Sequence, residues 1–442
     1  MMVGMASEET RTLTSPTVRT PAPHAARTAP GKPAAHPWRT RLLVIGIVLA
    51  ALNLRPAITS LGALLEEVRD GLGMSGSVAG LLTSVPPLCF AVFGVTAPRL
   101  ARRFGAGAVV CAGMVAIGAG LLIRPYAGGT AAFLAASALA LMGIAVSNVL
   151  MPVIVKRWFP DRVGSMTGLY SMALALGTAT AAAATVPLTG ALGGNWQSGL
   201  AVWAALAVAA VLPWIPFVRG KDREGDGARG ERTEPAAPAD APALRITRSR
   251  TAWALAVFFG LQATAAYITM GWMAQIFRDA GVPAGTAGLL LAVTMVMGVP
   301  LAFVIPRLAT RLPHQGPIAL VLGVSGLVGY AGLYFAPAAG AWVWAVLLGI
   351  ANCAFPLALT MVGMRARTGA GVAQLSAFAQ STGYLISIPG PLLVGVLYQH
   401  SGGWGLPIAL MAALMIPQMA VGVLAGRPRT VEEESQPPTP SH

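Results

Sequence analysis

The residue best suited to do chemistry in this sequence is an arginine inside an apolar segment. Arg55 lies within the run RLLVIGIVLAALNLRPAITSLGALLEE, which begins at Arg41. At 1.5 Å per helical residue, Arg55 is about 21 Å from Arg41 and about 16 Å from Glu66, so we expect it near the middle of a membrane. A guanidinium at that depth costs roughly 2.5–3.5 kcal/mol on insertion scales. Arg55 should therefore face a partner or a watery cavity.

No acidic residue of the sequence is expected at the depth of Arg55. The sixteen Asp and Glu residues fall in predicted tails, loops and helix ends, at positions 8–9, 66–70, 161, 222–240, 279 and 432–434. Since a guanidinium offers paired donors that match a carboxylate-like anion, we predict that the missing counter-charge is the substrate. The alternative is structural: Arg55 would bond the backbone carbonyls that Pro56 leaves without a donor.

The composition is that of a membrane protein. Of 442 residues, 55% are hydrophobic and only 10% are charged, against about 25% charged in soluble domains. A spanning helix needs about 20 mainly apolar residues. Twelve segments qualify, at 42–63, 77–98, 106–123, 130–155, 163–187, 197–218, 251–275, 285–306, 316–336, 341–363, 372–397 and 404–425. The sequence therefore predicts an all-α membrane protein with twelve transmembrane helices.

The polar segments predict the domain organisation and the topology. A cytoplasmic linker at 219–249 separates two six-helix halves, 41–218 and 250–426, and the tails at 1–40 and 427–442 are expected to be disordered. With both termini in the cytoplasm, 26 of the 30 Lys and Arg residues fall on that side, as the positive-inside rule requires. Only Arg69, Arg124 and Arg278 are then placed outside. The net charge of +14 therefore reflects topology, and no nucleic-acid partner is expected.

The two halves also repeat in sequence. Residues 79–103 align without a gap to residues 287–311, with ten of 25 positions identical and a constant offset of 208. The second helix of one half thus corresponds to the second helix of the other. Two such six-helix pseudo-repeats form the major facilitator fold, whose substrate site lies between the halves near mid-membrane.

Four segments carry a more specific resemblance. They are NLRPAITSLGALL in helix one, and the segments at 143–171, 258–281 and 375–395. Together they resemble the cyanate-permease and nitroimidazole-transporter branch of the major facilitator superfamily. The resemblance implies transport of a small anion or a polar heterocycle.

Polar residues in the apolar helices are candidates for lining the substrate path. In helix eleven, Ser376, Gln380 and Tyr384 are spaced i, i+4 and i+8 and form one stripe. The predicted substrate-binding residues are Arg55, Thr59, Asn148, Gln262, Tyr267, Gln380 and Tyr384. The alternative for the polar residues other than Arg55 is hydrogen bonding within or between helices. Trp272 is predicted in the outer aromatic belt.

The segment GVTAPRLARRFG at 94–105 resembles the superfamily's loop between helices two and three. Pro98 stands where that loop usually has an acidic residue, which puts its customary charge-relay role in doubt. By this resemblance we assign a gating role to Gly94, Arg99 and Arg103, with Arg307 and Arg311 as their counterparts in the second half. A plain cytoplasmic anchor is the alternative for each.

The sequence thus predicts a secondary-active transporter of the cytoplasmic membrane that works by alternating access, with Arg55 as substrate clamp. Its partners would be a small-molecule substrate and the bilayer, and one chain holds a complete pathway as a monomer. The alternatives are an exporter of neutral drug-like solutes and, more remotely, a membrane sensor that does not transport. An enzyme would need a nucleophile, an acid–base pair or a metal cluster, and no such constellation is found, so no cofactor is expected.

Overall fold

The computed structural model describes residues 37–218 and 246–435. Within them, twelve helices are long and apolar enough to cross a membrane, which confirms the predicted number and the all-α fold class. We number them span 1 to span 12 in chain order: Trp38–Ala63, Gly76–Phe104, Ala106–Tyr126, Thr130–Trp158, Ser165–Ala191, Trp196–Val218, Arg250–Asp279, Ala284–Arg311, Gly316–Phe335, Ala341–Met364, Gly371–Ser401 and Gly405–Ala425. The predicted linker and most of both tails lie outside the described residues.

Half of the spans are single helices and half are interrupted. Spans 2, 4, 5, 7, 9 and 12 are the continuous helices Gly76–Phe104, Thr130–Trp158, Val163–Ala191, Arg250–Asp279, Gly316–Phe335 and Gly405–Ala425. Spans 1, 8, 10 and 11 each divide into two helices, namely Pro37–Asn53 and Pro56–Ala63, Ala284–Val296 and Gly298–Arg311, Ala341–Asn352 and Ala354–Met364, and Gly369–Ser387 and Pro389–Ser401. Span 3 is Ala106–Ile123 with a 3₁₀ turn at Arg124–Tyr126, and span 6 is Trp196–Ala201, Ala204–Val211, Leu212–Trp214 and Ile215–Val218.

Several helices extend beyond the segments predicted from hydropathy. Span 2 was predicted to end at residue 98, but its helix continues to Phe104 and carries Arg102 and Arg103 in its last turn. Hydropathy detects the part of a helix that matches the hydrocarbon core, whereas the helix itself continues into the polar interface. The sequence-based boundaries are therefore those of the apolar segment and not of the helix.

The spans alternate in direction, so the bundle has two ends. We call the end with residues 99–106, 307–316 and 427–435 the terminal end, and the end with residues 64–76, 126–130 and 279–284 the far end. The two halves pack together through spans 2 and 11, spans 5 and 8, and spans 1 and 7. At the crossing of spans 1 and 7 the backbones nearly touch, because a Cβ on Gly62 would lie 2.0 Å from the carbonyl oxygen of Met270.

The beginning of the predicted C-terminal tail is folded, which corrects the expectation that it is disordered. Residues Val431–Ser435 form a short helix at the terminal end. The Glu434 carboxylate accepts hydrogen bonds from the hydroxyls of Ser249 and Thr251, at 2.6 and 2.7 Å. Ser249 caps the first turn of span 7 by accepting from the Ala252 backbone N–H. Glu434 thus links the short helix Val431–Ser435 to the start of span 7.

Candidate functional site

Arg55 lies at a break in span 1. The first helix ends at Asn53, the second begins at Pro56, and Arg55 has φ −124° and ψ −26° between them. Its carbonyl accepts from the backbone N–H groups of Ile58 and Thr59, at 2.9 and 3.1 Å. The break follows from Pro56, which has no N–H to continue the helical hydrogen bonding. The side chain of Arg55 is partly exposed.

The break is held closely against span 5. Because Pro56 cannot donate, the Leu52 carbonyl loses the helical donor four residues on. A Cβ on Gly177 would lie 2.1 Å from that oxygen, so only glycine fits at this position. Gly177 therefore allows span 5 to cross span 1 where the helix is interrupted.

Aromatic residues from four other spans surround the Arg55 side chain. Its guanidinium carbon lies 5.9 Å from the ring centre of Phe90, within cation–π range. It lies close enough to interact electrostatically with the hydroxyls of Tyr170, Tyr267 and Tyr384. We call these five residues the Arg55 cage. Since Phe90 and Tyr170 belong to the first half and Tyr267 and Tyr384 to the second, the cage lies between the halves.

The rings of the cage also pack on one another. Phe90 stacks on Tyr384 with ring centres 5.0 Å apart and an angle of 24° between the planes. Phe90 also lies 6.5 Å from Tyr267, and Tyr384 meets Phe259 edge-on at 5.2 Å. Phe90, Tyr267 and Tyr384 therefore form a contiguous aromatic surface beside the Arg55 guanidinium.

No carboxylate pairs with Arg55 among the residues described. The acidic side chains there lie near the ends of the bundle, in the helix Leu65–Leu72, at Asp161, at Asp279 and in the Val431–Ser435 segment. Within the same residues the guanidinium makes no hydrogen bond to a backbone carbonyl, the contact that the structural alternative requires. A guanidinium has five N–H donors, and most of them remain available to a ligand.

Four predicted binding residues besides Arg55 have polar surroundings that can be compared. The Tyr170 hydroxyl donates to Asn148 Oδ1 at 2.5 Å, which connects Asn148 to the cage. Gln380 donates to Ser376 at 2.7 Å, as the predicted stripe on span 11 implies. Gln262 is buried in span 7 and makes no hydrogen bond within the described ranges. Tyr267 is buried and belongs to the cage.

Thr59 does not face open space as expected. Its side chain is fully buried, and its hydroxyl donates to the Arg55 carbonyl at 3.2 Å. The residue is one turn after Arg55, as predicted, but its hydroxyl strengthens the new helix start at the break. This is the intrahelical alternative that the sequence left open.

The predicted gating residues lie at the terminal end. Arg99, Arg103, Arg307 and Arg311 are all exposed there, and Gly94 is half-buried. A Cβ on Gly94 would meet only Val149, at an ordinary 3.6 Å. The arrangement brings the four arginines to one end without showing a gate, so their gating role stays a prediction.

At the far end the halves are fastened by polar contacts. Arg278 of span 7 pairs with Glu66 at 2.8 Å and with Glu67 at 2.9 Å. Gln399 of span 11 accepts from the Ser77 hydroxyl at 2.7 Å. These contacts join the two halves at the far end.

The prediction that Trp272 lies in an exposed aromatic belt is wrong. Its side chain is fully buried, and its indole N–H donates to Thr83 of span 2 at 3.1 Å. The ring packs against Tyr398 and Trp404. A tryptophan near the end of an apolar helix fits either a lipid-facing or an interior position, and here the crossing of spans 2 and 7 buries it.

The burial of Arg124 was not predicted, because a residue at the end of span 3 resembles a loop residue in the sequence. Arg124, expected outside the membrane, is only 2% exposed. It donates to the Ala57 carbonyl at 2.9 Å and to the Ser60 hydroxyl at 3.4 Å. These residues begin two positions after Arg55, so the two arginines serve the same stretch of span 1.

Comparison with known proteins agrees with this architecture. The profile of the Major Facilitator Superfamily matches residues 42–369. A 2-nitroimidazole transporter of Escherichia coli (strain K12) is 32% identical over 399 residues, 88% of this chain and 96% of that protein. The cyanate transport protein of the same organism is 30% identical over 380 residues, 86% and 96% of the two chains. The resemblance to this branch is thereby confirmed.

Solved structures show the same fold at low sequence identity. A bacterial homologue of the human lysosomal transporter Spinster, in an inward-facing and unoccupied conformation, superposes with a TM-score of 0.68 at 15% identity, covering 92% of this chain and all of that one. Members of the matched family are transporters and not enzymes. By profile, by relatives and by fold, this chain belongs to the major facilitator superfamily of membrane transporters for small solutes.

Proposed function

We propose that the protein carries a small anion or a flat polar heterocycle across the cytoplasmic membrane, with Arg55 as the substrate clamp. The observation that carries this proposal is the Arg55 cage: a cation near the centre of the bundle, between the halves, with no carboxylate partner in the described residues. A charge at this depth costs a few kcal/mol to insert. An anionic or strongly polar substrate would offset that cost when it binds.

The rings of the cage favour a planar solute. Phe90 and Tyr384 already present nearly parallel faces, and aromatic faces bind flat groups by offset stacking. A guanidinium supplies two parallel donors to a planar acceptor. Related proteins named for 2-nitroimidazole and for cyanate fit this range of solutes. Asn148, Gln262 and Gln380 are then the uncharged groups that sense the shape of the solute.

Alternating access explains how such a site transports. The halves would rock about the cage, opening first one end and then the other. The far-end contacts of Arg278 hold one of these states. By the positive-inside rule the exposed arginines of the terminal end face the cytoplasm, so the far end faces outward. Both halves of the pathway are in one chain, which supports a monomeric transporter.

The charge of the substrate limits the energy source. Moving one negative charge inward against 100 mV costs about 2.3 kcal/mol. A buried carboxylate is the usual proton carrier, and none lies mid-span within 37–218 or 246–435. We therefore favour anion exchange, export or movement of the protonated substrate over a dedicated carboxylate relay.

The test is transport in proteoliposomes. Currents with a panel of small anions, cyanate included, and counterflow of 2-nitroimidazole are measured for wild type, Arg55→Gln and Arg427→Gln, which removes an exposed arginine. We expect Arg55→Gln to lose at least about tenfold in rate, the effect of one charge-assisted bond pair, and Arg427→Gln to match wild type. Equal rates for Arg55→Gln and wild type would refute the clamp. Counterflow of neutral solutes that no anion inhibits would instead favour the exporter of neutral drug-like compounds.

A further inference from the structure

Arg124 lines a small cavity inside the bundle. The cavity lies between spans 1, 2, 3, 4 and 7, and Ala57, Thr83, Ser137 and Tyr267 are among its lining residues. Tyr267 also belongs to the Arg55 cage. The cavity is therefore adjacent to the clamp and shares one wall with it.

Two buried polar groups on residues that line this cavity have no hydrogen-bond partner within residues 37–218 and 246–435. Arg124 uses its terminal nitrogens on Ala57 and Ser60, but its Nε–H has no acceptor. The Ser137 hydroxyl likewise has none, and that side chain is 1% exposed. An unpaired buried donor costs about 1–3 kcal/mol. Two such donors at one cavity indicate an occupant that accepts hydrogen bonds.

The cavity is also without a counter-charge. Among the described residues no acidic side chain lines it, and the carboxylates of Glu66 and Glu67, in the helix Leu65–Leu72 that follows span 1, are already paired with Arg278. The neutral carbonyl and hydroxyl groups accept hydrogen bonds from two nitrogens of Arg124, but they do not neutralise its positive charge. An anion would satisfy the charge and the free donors together, whereas a water molecule would satisfy only the donors.

The size of the cavity sets the class of occupant. The volume open to the centre of a water-sized molecule is about 20 Å³, and about 10–15 Å³ suffices for one water. A monatomic anion such as chloride or bromide fits this space. A heterocycle of the kind proposed for the Arg55 cage does not.

We propose that the Arg124 cavity is a second anion site, which binds one halide-sized monovalent anion through the Arg124 Nε–H and the Ser137 hydroxyl. The site does not depend on Arg55 being a substrate clamp. An anion bound here would neutralise Arg124 beside span 1 and stiffen the segment that follows the Arg55 break.

The experiment measures the thermal stability of the purified full chain in detergent. Sodium gluconate, whose anion is too large for the cavity, is replaced stepwise by sodium chloride or bromide at constant ionic strength. A ligand that binds only the folded protein raises Tm with a saturable dependence on its concentration. We expect such a rise in wild type, of at least about 1 °C.

Variants separate a specific site from a general salt effect. Arg124→Gln should abolish the saturable rise, and Ser137→Ala should weaken the apparent halide affinity by about tenfold, the effect of one hydrogen bond to a charged group. Ser147→Ala is the matched control, since Ser147 is a buried serine of the same helix whose hydroxyl also lacks a partner but which does not line the cavity. It should behave as wild type.

The outcomes also distinguish this site from the proposed function. Arg55→Gln should keep the full halide effect even while it loses transport. If Arg124→Gln does not fold, the pair Ser137→Ala and Ser147→Ala decides alone. No saturable rise in wild type, or equal rises in Ser137→Ala and Ser147→Ala, would overturn the proposal and leave the cavity with water only.

Discussion

Arg55 and Arg124 lie at the same stretch of span 1, but their positive charges are accommodated in opposite ways. Arg124 is fully buried and gives its terminal nitrogens to the Ala57 carbonyl and the Ser60 hydroxyl. Arg55 is partly exposed and meets aromatic rings and phenol hydroxyls instead. The fold thus pairs both terminal nitrogens of Arg124 with neutral acceptors, and it leaves the Arg55 guanidinium without a carboxylate or a backbone carbonyl partner among the described residues. Arg124 thus bonds directly to span 1, whereas the role of Arg55 is the one proposed above, that of binding the substrate.

The largest expected effect is on stability, where substitutions of Arg124 and Arg55 should differ. Arg124→Leu should lower the free energy of unfolding by about 3 kcal/mol, since it leaves the Ala57 carbonyl and the Ser60 hydroxyl without their charged donor. Arg55→Leu should change it by less than about 1 kcal/mol, because no hydrogen bond to the backbone is lost. Denaturant or thermal unfolding in detergent measures both. Equal losses of unfolding free energy in the two variants would show that Arg55 and Arg124 do not differ in their structural role.

Adding a methyl group at Gly177 tests whether the close helix crossing at the Arg55 break is required. Gly177→Ala should destabilise the protein by about 1–3 kcal/mol, because its Cβ would overlap the Leu52 carbonyl and the overpacked helices must shift. Gly190→Ala is the control, since it lies on the same helix with nothing within 4 Å of its Cβ. If the two variants are equally stable, the close crossing at the break is not required.

The aromatic wall of the cage should matter for affinity more than for stability. Phe90→Leu removes the ring that lies under the guanidinium and stacks on Tyr384, so we expect the KM for a transported solute to rise about fivefold. Phe133→Leu makes the same change in a buried ring of the far-end core and should leave KM unchanged. Transport kinetics in proteoliposomes compare the two. A matching rise in both variants would mean that the cage rings only fill space.

The smallest expected effect concerns the ion pairs that Arg278 makes between the halves at the far end. Arg278→Gln removes two ion pairs between the halves, and partly exposed pairs contribute up to about 1 kcal/mol each. A cysteine introduced at the buried far-end position Ala274 should then react about fivefold faster with an impermeant maleimide. Arg367→Gln removes an ion pair with Glu433 at the other end and should not change that rate. Unchanged labelling in Arg278→Gln would show that packing alone keeps the far end closed.

Much of the fold was predictable because it follows from hydropathy. Twelve apolar segments give twelve spans, since the bilayer requires each to be about 20 residues long. Arg55 was found for the related reason that a charge contrasts with an apolar helix. The folded start of the C-terminal tail was not predicted, because its order comes from Ser249 and Thr251, which are distant in sequence.

The rest of the site depends on tertiary contacts that leave little trace in the sequence. Phe90 lies in an apolar helix, where a phenylalanine does not differ from its neighbours in hydropathy, so the sequence did not mark it as a site residue. Tyr170 is more distinctive, because it is one of only seven tyrosines in the chain and lies in a helix rich in alanine. Arg124 and Trp272 were predicted at or beyond the membrane surface but are buried. The sequence near the end of a span does not show whether neighbouring helices cover a residue.

Equilibrium binding measures whether Arg55 binds the transported solute. Radiolabelled 2-nitroimidazole, with cyanate as competitor, is titrated against purified wild type, Arg55→Lys and Arg55→Gln. Lysine keeps the charge but loses the paired donors, so we predict affinity in the order wild type, Arg55→Lys, Arg55→Gln, with at least about a tenfold loss in the last. Saturable binding of equal affinity in all three proteins would show that Arg55 is not part of the substrate site.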